Sequence, residues 1–309
     1  MKKILIVGAK GQLGTDCMSV LSAKEIIGLD LPEIDIANRS ECLKKLDEIQ
    51  PEIIVNCAAY TNVDACETDP TCWNVNRDGP KHLAEWSKEH GTFLIHVSTD
   101  YVFGGNKPLF DSSVETDSPA PISEYGKSKL AGEQAILEQM DQCAILRTAW
   151  LYGAHGNNFL KTMLRLTRQN PDKEFKVVND QFGSPTWSKT LARQIEAVIE
   201  TKVTGVFHAT SEGYCSWYDL ACSFLDELNI KHHFVPCNSD EFPTPTKRPT
   251  NSILENNRLK EAGINLFQDW KTELKTFVEE SEKTTFPTTH YALSTFPHYA
   301  LSTSTLLKH

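Results

Sequence analysis

An α/β fold built on a doubly wound parallel sheet is predicted for this chain of 309 residues. Short apolar runs alternate with amphipathic helical patterns through the first half, as is typical of parallel strands joined by helices. The first apolar run, Ile4 to Val7, is followed by glycines at positions 8, 11 and 14, the layout of a Rossmann-like strand, turn and helix. Beyond Trp150 the alternation is looser, which predicts a smaller C-terminal α/β lobe.

The elements of the first half follow from hydrophobic periodicity. Runs of branched apolar residues predict strands, and apolar residues three or four apart predict helices. Asp30 ends the second strand, and Pro51 separates the second helix from the third strand. The predicted strands span residues 3–7, 25–29, 52–56, 93–97 and 143–147, and the predicted helices span residues 12–23, 40–49, 79–90 and 125–140.

The second half carries fewer and shorter elements. A stretch rich in proline, threonine and asparagine, residues 236–251, predicts an irregular loop. An amphipathic helix over residues 268–280 closes the ordered part. The other predicted helices span residues 158–168, 188–199 and 218–228, and the predicted strands span residues 175–178 and 206–209.

These patterns divide the chain into three parts. Residues 1–150 form the sheet domain, and residues 151–282 form mainly the lobe, with some segments able to return to the sheet. Threonine and serine dominate residues 283–309, where residues 291–295 recur as residues 299–303. This composition predicts a disordered low-complexity tail outside the fold.

The net charge and the cysteine content indicate which partners and which redox environment to expect. The net charge of -10 at pH 7 argues against nucleic-acid or membrane partners. No apolar run approaches the roughly 18 residues of a membrane helix, and no signal peptide is recognisable. The nine cysteines form no C-x-x-C pair, and four of them, Cys57, Cys66, Cys72 and Cys143, are predicted to be buried free thiols. A cytoplasmic, reduced protein is expected.

The glycine turn is the first candidate site. Glycines let the backbone approach a diphosphate, whose charge is favourable at a helix N-terminus. The sequence therefore predicts a dinucleotide cofactor held by residues Gly8, Gly11, Gln12, Leu13 and Gly14.

Asp30 bears on which dinucleotide is bound. At the end of the second strand it is placed to accept hydrogen bonds from ribose hydroxyls and to repel a 2′-phosphate, which favours NADH. Lys10 and Arg39 are placed to pair with that phosphate, so NADPH stays open.

Two segments after later strand ends are predicted to complete the cofactor site. Asp35 and Ile36 are expected on the adenine side, although packing explains Asp35 equally well. Ala58, Ala59 and Tyr60 are expected beside the nicotinamide ribose.

Tyr125 and Lys129 form a Y-x-x-x-K pair at the start of a predicted helix. Residues four apart share a helix face, and a neighbouring ammonium lowers the pKa of a phenol. Such a pair can transfer a proton at neutral pH. Together with a nicotinamide cofactor it predicts carbonyl–alcohol redox chemistry.

Ser98, Thr99 and Asp100 end the fourth strand, and together with the two motifs above they resemble the extended short-chain dehydrogenase/reductase superfamily. Within it the chain resembles the dTDP-4-dehydrorhamnose reductase family. The resemblance runs in the family's order from about residue 3 to residue 280 and rests on the blocks at residues 55–64, 98–103, 147–153, 156–159, 179–186 and 248–252.

The resemblance implies NAD(P)H-dependent reduction of the C4 ketone of dTDP-4-dehydro-β-L-rhamnose to dTDP-β-L-rhamnose, a cell-surface polysaccharide precursor. Tyr125 would be the general acid, Lys129 would lower its pKa and hold the nicotinamide ribose, and Thr99 would bind the carbonyl oxygen. The substrate would be a nucleotide sugar, contacted by residues Thr99, Asp100, Trp150, Asn179, Gln181 and Arg248.

Some of these substrate roles have a plainer interpretation. Asn179 and Gln181 also suit a hydrogen-bonded turn, and Arg248 also suits an ordinary surface position. Some family members bind magnesium at a dimer interface through glutamates, so the resemblance leaves Mg²⁺ and a homodimer open. No ligand cluster in the sequence assigns a metal site.

Two other functions share these motifs. The first is a reductase or epimerase for another nucleoside-diphosphate sugar. The second is a non-catalytic, NADP-binding regulatory subunit of methionine adenosyltransferase, because such a relative can keep the same residues.

Overall fold

A computed structural model describes residues 2–282 of the chain. The predicted tail, residues 283–309, lies outside the described residues. Helices and short strands alternate along the chain, and no helix of the described part is long and apolar enough to cross a membrane. The strands are β1 (Lys3–Val7), β2 (Glu25–Leu29), β3 (Ile53–Asn56), β4 (Phe93–Thr99), β5 (Cys143–Thr148), β6 (Leu151–Tyr152), β7 (Phe175–Val178), β8 (Phe182–Gly183), β9 (Thr186–Trp187), β10 (Gly205–His208), β11 (Cys215–Ser216), β12 (Phe234–Cys237) and β13 (Asn251–Ser252).

The helices join these strands in the order expected for a doubly wound fold. They are α1 (Gln12–Val20), α2 (Arg39–Ile49), α3 (Thr71–Trp73), α4 (Gly79–His90), α5 (Glu124–Leu137), α6 (Phe159–Gln169), α7 (Ser188–Thr201), α8 (Trp217–Glu227), α9 (Asn257–Glu261) and α10 (Trp270–Glu282).

A six-stranded parallel sheet, in the order β10-β5-β4-β3-β1-β2, forms the centre of the molecule. The strand order reverses beside β1, and ligands of such sheets bind at the carboxyl ends of the strands next to that reversal. The predicted fold class is confirmed. The glycine turn after β1 and residues Ser98 to Asp100 at the end of β4 both lie at this edge.

Two hydrophobic layers cover the sheet. One contains buried residues of α1 and α7, such as Leu13 and Ile195, and the other contains buried residues of α2, α4 and α5, such as Leu46 and Leu83. Strand β10 and helix α7 thus return from the second half of the chain to the sheet. A separate core forms between α6, α8 and α10 around Phe224 and Phe277.

Some predicted boundaries are wrong for local reasons. Residues 236 and 237 were expected in an irregular loop but continue β12, which pairs with β7 in a two-stranded sheet. Pro236 is tolerated there because an edge strand has a side that needs no N–H donor. Helix α1 ends at Val20, where Ser22 N donates to Ser19 O and tightens the last turn.

A π-helical segment, Asn74–Asp78, precedes α4 and was not predicted. Segments of this kind are frequent at functional sites. It places the Asn76 side chain, which is 1% exposed, against the loop that follows β3.

The cysteine prediction is wrong at two positions. Cys66 and Cys72 form a disulfide, whereas Cys57 and Cys143 are free as predicted, Cys57 half-buried. The short helical turns over Ala65–Glu67 and Thr71–Trp73 bring the two Cα atoms to 5.2 Å, within disulfide range.

Candidate active site

The glycine turn after β1 has a geometry that other residues cannot adopt. Gly8 has a φ of +78°, and a Cβ atom there would lie 2.7 Å from the backbone nitrogen of Ala58. A Cβ atom at Gly14 would lie 2.0 Å from the carbonyl oxygen of Gly8. Gly11 precedes α1 and offers no side-chain cap, so the helix N-terminus is suited to an anion. These features fit the diphosphate of a dinucleotide.

The two residues inside the turn have different surroundings. Leu13 is buried in the core that α1 shares with α7. Gln12 Oε1 accepts a hydrogen bond from Asn158 Nδ2 at 2.8 Å, which ties the turn to the second half of the chain.

Asp30 is fixed beside this turn. Its Oδ2 atom accepts a hydrogen bond from the backbone nitrogen of Lys10 at 2.9 Å, and its Oδ1 atom accepts one from that of Leu31 at 2.8 Å. Lys10 Nζ lies 2.9 Å from Glu33 Oε1, and Arg39 forms an ion pair with Glu85. Lys10 and Arg39, the two cations considered for a 2′-phosphate, are therefore each paired with a carboxylate of the protein.

Asp35 and Ile36 both contact other residues of the chain. Asp35 Oδ1 accepts from the backbone nitrogen of Ala37 at 2.9 Å. Ile36 is buried, and a Cβ atom at Gly79 would lie 2.6 Å from its Cδ1 atom. Their place on the adenine side stays a prediction.

The loop of Ala58, Ala59 and Tyr60 is held by Asn76. Asn76 Oδ1 accepts from Tyr60 N at 2.9 Å, and Asn76 Nδ2 donates to Tyr60 O at 3.1 Å and lies 3.2 Å from Ser128 Oγ on α5. Asn76 therefore connects the predicted nicotinamide-ribose loop to helix α5, which carries Tyr125 and Lys129. Asn76 was not predicted as a site residue, because helical periodicity does not predict a π segment.

Helix α5 begins at a capped end that positions Tyr125. Ser123 Oγ accepts from Gly126 N at 3.1 Å, and a Cβ atom at Gly126 would lie 2.2 Å from Tyr101 O. The helix thus packs directly on the turn after β4. The rings of Tyr125 and Tyr101 meet edge to face, with centroids 5.5 Å apart.

Thr99, Asp100 and Tyr125 come together at the end of β4, as predicted for one site. The Thr99 hydroxyl is near enough to the Tyr125 phenol to act on its pKa. Thr99 Oγ1 also donates to Asp100 Oδ1 at 2.9 Å. Hydroxyls arranged in this way can hold a carbonyl oxygen and deliver a proton to it.

Lys129 does not act on Tyr125 as predicted. Burial raises the pKa of Tyr125 above its usual value, the charge of Asp100 adds to this, and the Thr99 hydroxyl opposes it. Lys129 Nζ instead donates to the carbonyl oxygen of Val97 at 2.8 Å. The predicted lowering of the Tyr125 pKa by Lys129 is therefore wrong for this arrangement. A phenol that keeps its proton at neutral pH is suited to act as an acid.

The Lys129 amine is itself perturbed. The side chain is 2% exposed, and burial lowers its pKa to about 8, against the opposing charges of Glu133 and Cys57. Glu133 is paired in turn with buried Arg147, at 2.6 Å between Oε2 and Nη2.

The negative charge of the buried Asp100 carboxylate is expected to lower the free energy of unfolding. Burial raises its pKa from 3.8 to about 6, while hydroxyls of Ser252 and Thr99 act in the opposite direction. The native state therefore binds more protons than the unfolded state between those pH values, and stability falls as pH rises through this window. The loss of stability reaches its full size above about pH 6 and disappears below about pH 4.

We expect Asp100→Asn to stabilise the protein at pH 7.5 by up to about 3 kcal/mol, since one pKa unit corresponds to roughly 1.4 kcal/mol. Thermal melting of both proteins from pH 3.5 to pH 8 checks this. The gain should shrink as the pH falls and vanish below pH 4. A gain that is independent of pH would show that the carboxylate charge is not its cause.

Trp150 packs closely against two other parts of the chain. Its ring stacks on Trp217 with centroids 3.6 Å apart and an interplanar angle of 7°. A Cβ atom at Gly183 would lie 2.4 Å from the same ring. One face of the Trp150 ring is therefore covered by Trp217. The sequence did not identify Trp217, because nothing in it indicated a stack between residues so distant along the chain.

Arg248 is not an ordinary surface arginine. Its Nη2 atom lies 3.4 Å from Asp64 Oδ2, and its guanidinium is near enough to the Tyr101 hydroxyl to act against the rise in the pKa of that phenol. Because Tyr101 contacts Tyr125, this cation is connected to the predicted proton donor. Asp64 was not predicted as a site residue, although it lies within one of the family-like blocks.

Asn179 and Gln181 make turn-stabilising contacts. Asn179 Oδ1 accepts from Ser216 Oγ at 2.6 Å, and Gln181 Nε2 donates to Ser239 Oγ at 2.9 Å. These bonds hold the loop that leads into β8. A direct contact of either side chain with substrate stays a prediction.

Comparison with known proteins identifies the family. Residues 1–283 match the family described as RmlD substrate binding domain. A dTDP-4-dehydrorhamnose reductase from Aggregatibacter actinomycetemcomitans is 39% identical over 291 residues, which cover 89% of this chain and 98% of the relative. A dTDP-4-keto-6-deoxy-D-glucose reductase from Streptomyces niveus is 38% identical over 277 residues, which cover 87% of this chain and 94% of the relative.

A solved structure carries the same fold. The dTDP-4-dehydrorhamnose reductase of Bacillus anthracis, in complex with NADP, superposes with a TM-score of 0.87 at 38% identity, covering 90% of this chain and 99% of that one. The chain therefore belongs to the RmlD substrate binding domain family, which confirms the predicted membership of the dTDP-4-dehydrorhamnose reductase family.

Proposed function

We propose that this protein is an NAD(P)H-dependent reductase that converts the C4 ketone of dTDP-4-dehydro-β-L-rhamnose to the alcohol of dTDP-β-L-rhamnose. The observation that carries the proposal is that the hydroxyls of Thr99 and Tyr125 lie next to each other at the same sheet edge as the glycine turn. The names of the relatives support the same reaction.

The reaction divides between cofactor and protein. The bound nicotinamide supplies a hydride to C4. Tyr125 holds its proton because burial raises its pKa, and it gives that proton to the oxygen as negative charge develops there. Thr99 would turn its hydroxyl hydrogen from Asp100 to the same oxygen. Lys129 binds the nicotinamide ribose.

The substrate is proposed to lie between β4 and the segment that contains Arg248. Asp100 would accept from a sugar hydroxyl, and the edge of Trp150 would limit the sugar pocket. Arg248 would bind the diphosphate, since a guanidinium suits bidentate contact with phosphate and this one is held in place by Asp64.

Cofactor choice is proposed to depend on Asp30, with NADH favoured and NADPH accepted. We expect Asp30→Ala to weaken NADH binding about 10- to 100-fold, because hydrogen bonds to charged groups contribute roughly 1.5–3 kcal/mol. NADPH binding should fall less, since repulsion of its 2′-phosphate is lost too. Fluorescence titration of both cofactors measures this.

Glu33→Gln is the matched control, because it leaves Asp30 in place and frees Lys10. It should improve NADPH binding and leave NADH binding unchanged. Equal losses for both cofactors in Asp30→Ala would place Asp30 away from the ribose.

The sugar is the open part of the proposal. The Streptomyces niveus relative bears the name of a reductase for a different dTDP-4-keto sugar, so a related 4-keto-6-deoxyhexose is the second candidate. Comparison of kcat/KM for the two dTDP sugars, with NADH and with NADPH, distinguishes them. Cofactor binding without oxidation on either sugar would favour the non-catalytic regulatory subunit.

The cytoplasmic location, the homodimer and the lack of nucleic-acid or membrane partners remain predictions. Among residues 2–282 no group of three or more His, Cys, Asp and Glu side chains is arranged to hold a metal ion. We assign no magnesium site to a single chain.

A further inference from the structure

A buried chain of polar side chains lies behind Lys129. Asn56 ends β3 and pairs in register with His96 of β4, and both side chains are almost fully buried. Asn56 Nδ2 lies 3.0 Å from His96 Nδ1, and His96 Nε2 lies 3.4 Å from Lys129 Nζ. Nothing in the proposed reaction requires this arrangement.

The orientation of the Asn56 amide follows from its other contact. Asn56 Oδ1 lies 3.1 Å from the backbone nitrogen of Ala58. A backbone N–H group can only donate, so the atom that faces it must be the amide oxygen. The amide nitrogen is thereby turned toward His96 and donates to it.

The tautomer of His96 follows in turn. Nδ1 accepts from Asn56, so it carries no proton, and a neutral imidazole then carries its proton on Nε2. Burial and the charge of Lys129 lower the pKa of His96 well below its usual value, which keeps the ring neutral. The Nε2–H group is directed at Lys129 Nζ.

An ammonium group has three N–H donors and no acceptor, whereas a neutral amine offers a lone pair. The Nε2–H group therefore cannot form a hydrogen bond with the ammonium, but it can donate one to the lone pair of the neutral amine. We propose that Asn56 and His96 form a positioning pair that turns the Nε2–H group toward Lys129 and favours its neutral amine over its ammonium.

Other groups around Lys129 do not produce this effect. The charged and titratable side chains that face it are Glu133 on its own helix, Cys57 after β3 and His96 on β4. Glu133 and Cys57 both favour the ammonium, although Arg147 partly neutralises Glu133. Among these side chains, the Nε2–H group of His96 is the one that favours the neutral amine.

The consequence for turnover rests on the proposed function, in which the Lys129 ammonium holds the nicotinamide ribose. A pair that favours the amine lowers the pH at which this ammonium is lost. Asn56 and His96 would then set the alkaline limit of activity without touching the cofactor or the substrate.

The wild-type protein, free of substrate, provides the first test. Nitrogen-15 NMR of the imidazole rings, with His96 assigned by its loss in His96→Gln, should show Nε2 protonated and Nδ1 unprotonated. A proton on Nδ1 would overturn the proposal. Since this measurement needs no turnover, it can succeed even if the protein reduces no sugar, and the two proposals fail separately.

Asn56→Leu provides the second test. Without its amide partner, His96 is free to move its proton to Nδ1 and accept from the ammonium through Nε2. The pKa of Lys129, followed by its ¹³Cε resonance and assigned by Lys129→Met, should rise by about one unit, a tenfold change in proton affinity. The alkaline limit of kcat should rise with it.

A merely structural role for Asn56 predicts a different result, since a more apolar neighbour leaves the lysine pKa unchanged or lowers it. Asn256→Leu is the matched control. Asn256 is another buried asparagine whose Oδ1 atom accepts from a backbone nitrogen, that of Thr210 at 3.1 Å. It should leave the Lys129 resonance unmoved. An unchanged or lowered pKa in Asn56→Leu would overturn the proposal.

Discussion

Replacing Tyr125 with phenylalanine is expected to reduce turnover by about 100- to 10,000-fold, the contribution of a positioned proton donor. The ring keeps its edge-to-face contact with Tyr101, and only the hydroxyl beside Thr99 is lost. Cofactor binding should therefore persist. Stopped-flow measurement of cofactor oxidation gives the turnover, and fluorescence titration gives the cofactor affinity.

Tyr152→Phe is the matched control for this change. Tyr152 is also fully buried, but its hydroxyl has no hydrogen-bond partner among the described residues and lies in the core of α6, α8 and α10. Its removal should leave turnover unaffected. A loss in Tyr125→Phe no larger than that in Tyr152→Phe would assign the proton donor to another group.

Lys129→Met is expected to lower both turnover and cofactor affinity, since the side chain acts through the ribose. The same substitution should raise the free energy of unfolding. Burial lowers the lysine pKa from 10.5 to about 8, a cost of about 3 kcal/mol in the ammonium form. Loss of the hydrogen bond to Val97 O offsets part of this, at roughly 0.5–1.5 kcal/mol.

The pH dependence separates these effects. Between pH 8 and 10.5 the unfolded state binds the extra proton, so the wild-type protein gains stability as pH rises through that window. Lys129→Met lacks the titrating group and should lack this rise. Denaturant unfolding at pH 7 and pH 10 measures it. Parallel changes in the two proteins would contradict the buried-ammonium account.

Much of the fold followed from local patterns. Strand β1 begins and ends where periodicity placed it, because a strand buried on both faces is a short run of apolar residues. Strand β2 also matches its predicted range, although it is the half-buried edge strand of the sheet. The glycine turn and α5 were predicted for similar reasons, since Gly8, Gly14 and the cap at Ser123 act within a few residues of themselves.

The missed features depend on residues distant in sequence. Asn76 reaches Tyr60 only because a π segment turns it inward. Trp217 stacks on Trp150, and Asp64 pairs with Arg248, only after the lobe has folded over the sheet edge. No periodicity encodes such partners. The Tyr125 pKa was predicted with the wrong sign because burial, which one sequence does not give, raises it, while the Lys129 amine is turned to Val97 O.

The most direct test of the proposed reaction follows the hydride itself. The protein is given NADH or NADPH deuterated at the transferable position of the nicotinamide, together with enzymatically prepared dTDP-4-dehydro-β-L-rhamnose. Mass spectrometry and NMR of the product should find one deuterium, at C4 of dTDP-β-L-rhamnose, and Tyr125→Phe should slow its appearance. Oxidised cofactor with no deuterium at C4, or no oxidation by a protein that still binds the cofactor, would contradict the proposed function.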